Sequence, residues 1–255
     1  MTDQVLAGRI VIVTGGGAGI GRAAALAMAR AGATLAVWDL DGVSAGATAS
    51  AINAQGGAAD FEQVDVTSAT QVERAIARLL KMHGRLDAAF NNAGILGAVG
   101  TALVDLEEQD WDRVLAVNLK SVWLCMKYQI PPMLAAGRGA IVNMSSLTGL
   151  QAAPFNIAYG AAKHGVLGAT RSAAAFYGSR GIRINAVCPG TVDTDMAASI
   201  AARLGPAADA RVALNPMHRS AVPEEIANTV VWLCSDAASF INGAAIAIDG
   251  GQSIV

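Results

Sequence analysis

Short apolar runs alternate with longer amphipathic stretches along the whole chain. Several runs are nearly continuous valine, isoleucine and alanine, which is typical of parallel strands buried on both faces. The predicted strands are Arg9–Thr14, Thr34–Asp39, Phe61–Asp65, Leu86–Asn91, Gly139–Ser145, Arg183–Cys188 and Ala245–Asp249. The predicted helices are Ile20–Ala31, Val43–Asn53, Thr70–His83, Asp110–Leu134, Ala158–Tyr177 and Glu224–Ser235. This alternation predicts an α/β fold, a doubly wound parallel sheet of about seven strands with helices on both faces.

The pattern contains no linker, repeat or low-complexity tract that would divide the chain. Its 255 residues therefore predict one domain, residues 1–255. Two helices are unusual: Asp110–Leu134 is apolar around most of its circumference, and Ala158–Tyr177 is rich in alanine and glycine. Such helices either pack only on their own sheet or also meet a second subunit.

Composition favours the second alternative. Charged residues make up only 15% of the chain and hydrophobic residues 53%, with a net charge of -2. So small a net charge gives no reason to expect a nucleic-acid or anionic-membrane partner. Cys125, Cys188 and Cys234 are widely spaced among apolar residues, which predicts reduced core thiols rather than disulfides or a metal site. Because the thiols are expected to be reduced and the N-terminus does not resemble a signal peptide, we expect a cytoplasmic location.

A glycine-rich turn, Thr14-Gly15-Gly16-Gly17-Ala18-Gly19-Ile20-Gly21, follows the first predicted strand and opens the first helix. Glycines there allow a tight turn and bring backbone close to a pyrophosphate, whose charge meets the helix N-terminus. The residues predicted to contact a dinucleotide are Gly15, Gly17, Gly19, Ile20 and Gly21.

Asp39 ends the second predicted strand. A carboxylate there accepts hydrogen bonds from both ribose hydroxyls and repels a 2′-phosphate. Its neighbours Trp38 and Leu40 bring no positive charge. The alternative is a turn residue, although Asp41-Gly42 just beyond is the better turn former. The sequence therefore predicts NAD(H) rather than NADP(H).

Two further strand ends supply candidate cofactor contacts. Asp65 and Val66 close the third predicted strand, and they either frame the adenine or belong to the N-cap region of the next helix. Asn91-Asn92-Ala93-Gly94 closes the fourth strand. Because open α/β sheets bind ligands at the carboxyl ends of their strands, we expect these segments to converge.

Tyr159 and Lys163 are one helical turn apart and share a helix face. A neighbouring cation lowers the pKa of a phenol from its usual value of about 10, which suits the phenol to proton transfer. Ser146 lies 13 residues before the tyrosine and can hydrogen-bond the same substrate oxygen. Ser145 is its rival, but it would point the other way along a strand.

Together these segments resemble the short-chain dehydrogenase/reductase family. The residues that carry the resemblance are TGGGAGIG at 14–21, NNAG at 91–94, Asn118, Ser146, Tyr159-Gly-Ala-Ala-Lys163, Pro189-Gly190 and Asp249-Gly250-Gly251. They occur in the family's order across essentially the whole chain, which implies a single-domain Rossmann fold. One departure is Ala162, which stands where the family usually has serine before the lysine.

The resemblance also implies roles. Tyr159 would be the general acid/base, Lys163 would hold the nicotinamide ribose and lower the tyrosine pKa, and Ser146 would polarise the reacting oxygen. Asn118 would open its helix locally and hold a water that links Lys163 to solvent. No metal is implied. The remaining implied cofactor contacts are Asn91, Ala93 and Gly94 at one strand end, and Pro189, Gly190, Val192 and Thr194 at another.

Mostly apolar residues are expected to form the substrate pocket. They are Leu96, Gln151, Phe155 and Asn156, with Ile95 and Pro154 beside them. Because none of them is Arg or Lys, we expect a small, uncharged substrate. The segment Thr194–Met217 is predicted to be either a mobile flap that closes on substrate or an ordinary pair of amphipathic surface helices.

The expected activity is NAD(H)-dependent interconversion of a small secondary alcohol, or diol, and its ketone. One alternative is a 3-oxoacyl-carrier-protein reductase, which Asp39 disfavours because those enzymes usually prefer NADP. Another is a catalytically silent dinucleotide-binding regulatory protein, which the complete catalytic set disfavours. A sugar-nucleotide epimerase of the extended branch would need a larger substrate domain. The resemblance suggests a homotetramer, with a dimer as the alternative.

Overall fold

A computed structural model describes residues 4–205 and 215–254 of the chain. Within these ranges one seven-stranded sheet forms, in which neighbouring strands run parallel. The strands are β1 (Ile10–Thr14), β2 (Thr34–Asp39), β3 (Ala58–Gln63), β4 (Ala88–Asn91), β5 (Gly139–Met144), β6 (Ile182–Pro189) and β7 (Ala245–Ile248). Their order is β3-β2-β1-β4-β5-β6-β7. The predicted doubly wound parallel sheet is confirmed.

Helices cover both faces of the sheet. They are α1 (Gly19–Arg30), α2 (Gly42–Ala54), α3 (Ala69–His83), α4 (Glu108–Leu115), α5 (Ser121–Ala135), α6 (Ile157–Tyr177), α7 (Asp195–Leu204) and α8 (Pro223–Cys234). In β1, Val11 and Val13 face the core that contains α1 and α8, whereas Ile12 faces the core that contains α3 and α5. All three side chains are fully buried. A strand covered on both faces has no polar side, so its sequence is a continuous apolar run.

The strand order reverses at β1, which lies between β2 and β4. Connections leave such a point in opposite directions and open a crevice at the carboxyl ends of the strands. Thr14 joins the ends of β1 and β4. Its Oγ1 accepts hydrogen bonds from the N–H groups of Asn92 at 3.0 Å and Ala93 at 3.1 Å, the two residues that follow β4. The candidate functional site occupies this crevice.

The predicted third strand was misplaced. It is Ala58–Gln63 rather than Phe61–Asp65, and Asp65 and Val66 therefore follow the strand instead of closing it. β3 is the edge strand beside β2, and its residues are half-buried or exposed. A strand with so little buried surface gives a weak apolar signal, which explains the error.

The single helix predicted at Asp110–Leu134 is interrupted. α4 ends at Leu115, a π-helical turn spans Ala116–Lys120, and α5 continues from Ser121. The apolar pattern runs through all three pieces, so periodicity could not show the change in hydrogen-bond register. π-Helical turns inside helices are frequent at functional sites.

The predicted flap Thr194–Met217 is described only in part. Its first portion is the helix α7, and residues 206–214 lie outside the described residues. The flap and the single-domain limits 1–255 stay predictions. Self-association also stays a prediction. The two helices expected to meet a second subunit do expose large apolar side chains, since Trp123 on α5 is 51% exposed and Phe176 on α6 is 60% exposed. In the ranges that the structure describes, each helix is too short or too polar to cross a membrane.

Candidate active site

A cleft of about 560 Å³ opens at the carboxyl ends of the strands. Most predicted site residues line it: Gly15, Gly19, Ile20, Asp39, Asp65, Val66, Ala93, Gly94, Leu96, Asn118, Ser146, Phe155, Asn156, Tyr159, Lys163, Pro189, Gly190, Val192 and Thr194. The predicted residues that do not line it are Gly17, Gly21, Asn91 and Gln151. The structure thus gathers residues from across the chain into one volume.

The β1–α1 turn depends on its glycines. Gly15 and Gly19 have φ angles of 63° and 50°, which residues with a Cβ rarely adopt. Gly21 lies behind the turn, where a Cβ would come within 1.9 Å of Gly15 O. The N–H of Gly17 donates to Asp39 Oδ2 at 2.9 Å. Gly17 and Gly21 therefore shape the turn without lining the cleft.

The N-terminus of α1 is suited to an anion. The N-cap residue Ala18 provides no side-chain hydrogen bond, whereas Asp41, Ser68 and Thr194 cap α2, α3 and α7 with side-chain oxygens. The first N–H groups of α1 thus have no side-chain acceptor at the cap, and the helix dipole favours negative charge there. Next to a glycine turn, this arrangement fits the pyrophosphate of a dinucleotide.

Asp39 is half-buried at the carboxyl end of β2. Besides the bond from Gly17, its Oδ1 accepts a hydrogen bond from the N–H of Asp41 at 3.0 Å. These bonds hold the carboxylate at the cleft wall. The ion pairs found among the described residues do not involve Asp39.

Asp65 lies both in the cleft wall and in the turn before α3, and its contact with an adenine stays a prediction. It lines the cleft, and its Oδ1 accepts hydrogen bonds from the N–H of Thr67 at 2.8 Å and the hydroxyl of Thr67 at 2.7 Å. Ser68 is the N-cap of α3. Asp65 therefore closes the turn that leads into α3, with Val66 beside it in the cleft wall.

Asn91 and Asn92 divide between the core and the cleft. Asn91 is buried; it exchanges hydrogen bonds with Gln129 of α5 and donates to Asn143 of β5. Asn92 lines the cleft, and its Nδ2 donates to two carbonyls of the glycine turn, both at 3.1 Å. The prediction that Asn91 contacts the cofactor is therefore wrong, and Asn92 was missed. Adjacent side chains at a strand end point to opposite sides, so only one of the two could face the cleft.

Ser145 and Ser146 also point in different directions. Ser145 is buried, and its hydroxyl donates to the carbonyl of Lys163 at 2.9 Å. The hydroxyl of Ser146 accepts a hydrogen bond from the N–H of Thr148 at 3.2 Å. A hydroxyl that accepts one bond still has its proton to donate, which is what polarising a substrate oxygen requires.

Tyr159 and Lys163 face the cleft from adjacent turns of α6, which Asn156 caps by accepting a hydrogen bond from the N–H of Tyr159 at 3.2 Å. Lys163 is only 2% exposed, and its Nζ donates to Met144 O at 2.9 Å. The same Nζ lies 5.3 Å from the centre of the Tyr159 ring. Burial lowers the pKa of Lys163 from 10.5 to about 8, against a small opposing effect of Cys188. The ammonium is therefore charged at pH 7 although desolvation disfavours it.

Asn118 is fully buried in the π-helical turn. Its Nδ2 donates to Ile95 O at 2.9 Å, and its Oδ1 accepts from the N–H of Ile95 at 3.1 Å. Gly94 precedes that residue; a Cβ on it would lie 2.7 Å from Asn118 Oδ1 and 3.7 Å from Lys163 Nζ. Asn118 and Lys163 therefore approach each other across a glycine.

The segment after β6 closes the opposite wall. Gly190 packs so tightly that a Cβ would lie 3.0 Å from Asp249 Cα. Val192 and Thr194 follow in the cleft lining, and Thr194 Oγ1 caps α7 by accepting from the N–H of Ala197 at 3.3 Å.

Mostly apolar residues surround the end of the cleft near the catalytic set. Leu96 and Phe155 line it, whereas Gln151 is exposed and lies outside the lining. Asn156 donates from its amide to Leu96 O at 2.5 Å, so this polar group holds the wall together. Wall residues that the sequence analysis had not assigned include Val99, Val117, Thr148, Ala152 and Ala153. Asp195 and Ala197, which also line the cleft, belong to the predicted flap.

Charge in the described cleft lining is unbalanced. Lys163 is its one Lys or Arg residue, and it stands against the carboxylates of Asp39, Asp65 and Asp195. In residues 4–205 and 215–254, no three His, Cys, Asp or Glu side chains are placed to hold a metal ion.

This fold and site are those of a nucleotide-binding oxidoreductase. A family model described as Enoyl-(Acyl carrier protein) reductase matches residues 15–253. The chain belongs to the short-chain dehydrogenase/reductase family.

Three curated relatives show the range of activities near this sequence. The 2,5-dichloro-2,5-cyclohexadiene-1,4-diol dehydrogenase of Sphingobium indicum is 41% identical over 98% of this chain and 99% of its own length. The cyclohexanol dehydrogenase of Acinetobacter sp. strain SE19 is 39% identical over 96% of this chain and 95% of its own. The 3-oxoacyl-[acyl-carrier-protein] reductase FabG of Thermotoga maritima is 35% identical over 98% of this chain and 99% of its own length.

Solved structures agree on the fold. Levodione reductase has a TM-score of 0.94 with 36% identity, covering 98% of this chain and 99% of that one. A structure from Beutenbergia cavernae that contains bound NADP has a TM-score of 0.93 with 36% identity, covering 99% and 100%.

Replacement of Lys163 tests its buried charge without any activity assay. Because its folded pKa lies below the unfolded value, the unfolded chain binds more protons between about pH 8 and 10.5. The lysine is therefore destabilising below pH 8, and this cost disappears as the pH rises to 10.5. We expect Lys163→Met to raise the free energy of unfolding by about 1–3 kcal/mol at pH 7 without dinucleotide, and to have little effect near pH 10.5.

Urea denaturation at the two pH values measures the difference. Lys81→Met, at an exposed position on α3, is the matched control and should change stability little at either pH. A Lys163→Met protein that is less stable than the wild type at pH 7 would contradict a desolvated ammonium.

Proposed function

We propose that this protein is an NAD(H)-dependent oxidoreductase that interconverts a small, mostly uncharged secondary alcohol and its ketone. The observation that carries the proposal is the placement of Tyr159 beside the buried ammonium of Lys163, at the cleft wall that also holds Ser146. When bound, a nicotinamide ring supplies the hydride chemistry. The residues that would hold the dinucleotide are those of the glycine turn, the strand ends and Lys163.

Tyr159 is proposed to move the proton. In the oxidative direction its phenolate accepts the proton of the substrate hydroxyl, and in the reductive direction the phenol returns it. The charge of Lys163 favours the phenolate because the ammonium lies one helical turn from the phenol, 5.3 Å from the centre of its ring. Ser146 donates a hydrogen bond to the same substrate oxygen and stabilises negative charge as it develops.

The preference for NAD(H) is supported by the charge around Asp39. Its carboxylate is held at the end of β2 by bonds from Gly17 and Asp41. A 2′-phosphate there would meet negative charge, and among the described lining residues the one Lys or Arg is Lys163, in the catalytic set. The NADP bound in one structural relative shows that the other choice occurs on this fold, so the proposal depends on Asp39 itself.

The proposed substrate class follows from the cleft lining. A small neutral alcohol suits the mostly apolar wall that Leu96 and Phe155 form near the catalytic set. Lys163 is the one Lys or Arg residue of the described lining that could pair with an anionic substrate. Relatives named for a diol and for cyclohexanol are consistent with this class. A 3-oxoacyl-carrier-protein reductase is the second candidate, favoured by the similarity to FabG. A cytoplasmic location is proposed from the three free, buried cysteines, and a homotetramer from the family resemblance.

Removal of the phenol tests the proposed proton transfer. Tyr159→Phe keeps an aromatic ring near Lys163 but has no proton to exchange, so we expect kcat to fall by about 10²–10⁴-fold while the Kd for NADH changes little. Tyr177→Phe, on the same helix, is the control and should keep wild-type kcat. NADH absorbance would be followed with secondary alcohols, diols, cyclic ketones and a 3-oxoacyl thioester.

The same panel separates the alternatives. Oxidation of the wild-type substrate should become faster as the pH rises, because the phenolate is the active form. Residual kcat above about a tenth of wild type in Tyr159→Phe would refute the role of the tyrosine. Best activity on the thioester would favour the carrier-protein reductase, and NADH binding without any turnover would favour a regulatory protein.

Asp39→Ala tests the choice of dinucleotide. Loss of hydrogen bonds to a carboxylate should raise the KM for NAD by about tenfold or more, whereas the KM for NADP should stay level or fall. Asp41→Ala, which removes only the cap of α2, should leave the ratio of the two kcat/KM values unchanged. Equal changes for both dinucleotides in Asp39→Ala would show that this carboxylate does not select NAD.

A further inference from the structure

Ser121 carries the change of register that ends the π-helical turn. It is 2% exposed and begins α5. In a regular α-helix, its N–H would bond the carbonyl four residues back, that of Val117. Here the N–H bonds Ala116 O, five residues back, and the hydroxyl of Ser121 donates to Val117 O at 2.5 Å.

Ser121 therefore supplies two of the hydrogen bonds that accompany the change of register, one from its N–H and one from its hydroxyl. A carbonyl that loses its usual donor inside a protein needs a replacement, and a serine hydroxyl can reach the carbonyl four residues back. We propose that Ser121 is a positioning residue, whose hydroxyl stabilises the π-helical turn and thereby directs Asn118 to the backbone of Ile95 beside Lys163. This inference rests on the proposed function, in which Asn118 belongs to the catalytic set.

The register at this turn decides where Asn118 points. If the turn returned to regular α-helical hydrogen bonds, the residues before Ser121 would shift by one position relative to α5. In an α-helix, one position is a rotation of about 100° around the axis. Asn118 would then lose its hydrogen bonds to Ile95 and to Val114 O. Val114 packs against α6 near Tyr159, so the same rotation would disturb that contact.

A double-mutant cycle of Ser121→Ala and Asn118→Ala tests the proposal. We expect Ser121→Ala alone to lower kcat about tenfold while the Kd for NADH stays within about twofold. In the Asn118→Ala background, the same substitution should lower kcat by less than about twofold, because the side chain that it positions is already absent. Equal fold losses in both backgrounds, or wild-type kcat in Ser121→Ala, would overturn the proposal.

Three further variants exclude a general effect on folding. Thr48 is a matched control, since it is buried and its hydroxyl donates to Ser44 O, four residues back in α2, at 3.2 Å. Thr48→Val should keep wild-type kcat whatever it does to stability. Ser121→Thr retains the hydroxyl and should keep kcat within about threefold of wild type. If Ser121→Ala does not fold, Ser121→Cys, with a weaker donor of similar size, replaces it in the cycle.

Hydrogen exchange separates failure of this inference from failure of the proposed function. A wild-type protein without turnover on any substrate would refute the function but not the role of Ser121. In that case, Ser121→Ala should still accelerate amide exchange in residues 116–122 more than Thr48→Val does in residues 44–52. Unchanged exchange at the π-helical turn would overturn the inference.

Discussion

An ammonium group held inside the fold is the constraint on which this site depends. Lys163 is almost completely buried, desolvation lowers its pKa to about 8, and its Nζ donates to the carbonyl of Met144. Keeping a charge in such a place costs folding free energy. The field of this charge acts strongly on neighbouring groups, because burial of the ammonium reduces screening by solvent. That field acts on the phenol of Tyr159, one helical turn away.

Two hydrogen bonds between α6 and the end of β5 hold this charge in place. Lys163 donates from its side chain to the end of β5, and Ser145 at that end donates back to the carbonyl of Lys163. Ser146 follows Ser145 directly, so the same two hydrogen bonds also fix the position of the hydroxyl that would polarise the substrate oxygen. Asn118 adds hydrogen bonds from the π-helical turn to the backbone of Ile95, in the loop after β4. Rigid support of this kind is what proton transfer at a fixed distance requires.

The sequence was sufficient for the parts of this structure that rest on regular geometry. Buried strands such as β1 are continuous apolar runs, and the Tyr159–Lys163 spacing places both residues on one helix face. Features that depend on partners distant in sequence were missed. Alternation along the strand sends Asn91 and Asn92 to opposite sides, but which of them is buried depends on Gln129 and Asn143. The limits of β3 depend on its place at the sheet edge. Gln151 was assigned to the pocket because its neighbours belong there, yet its side chain is exposed.

The most direct measurement is an ultraviolet difference titration of tyrosine ionisation with NAD bound. The chain has three tyrosines, so a single transition is resolvable, and Tyr159→Phe identifies it. We expect one tyrosine to ionise below the usual pKa of about 10, and we expect this transition to move to higher pH in Lys163→Met. Ionisation of all three tyrosines at or above the usual pKa, with no effect of Lys163→Met, would contradict this expectation.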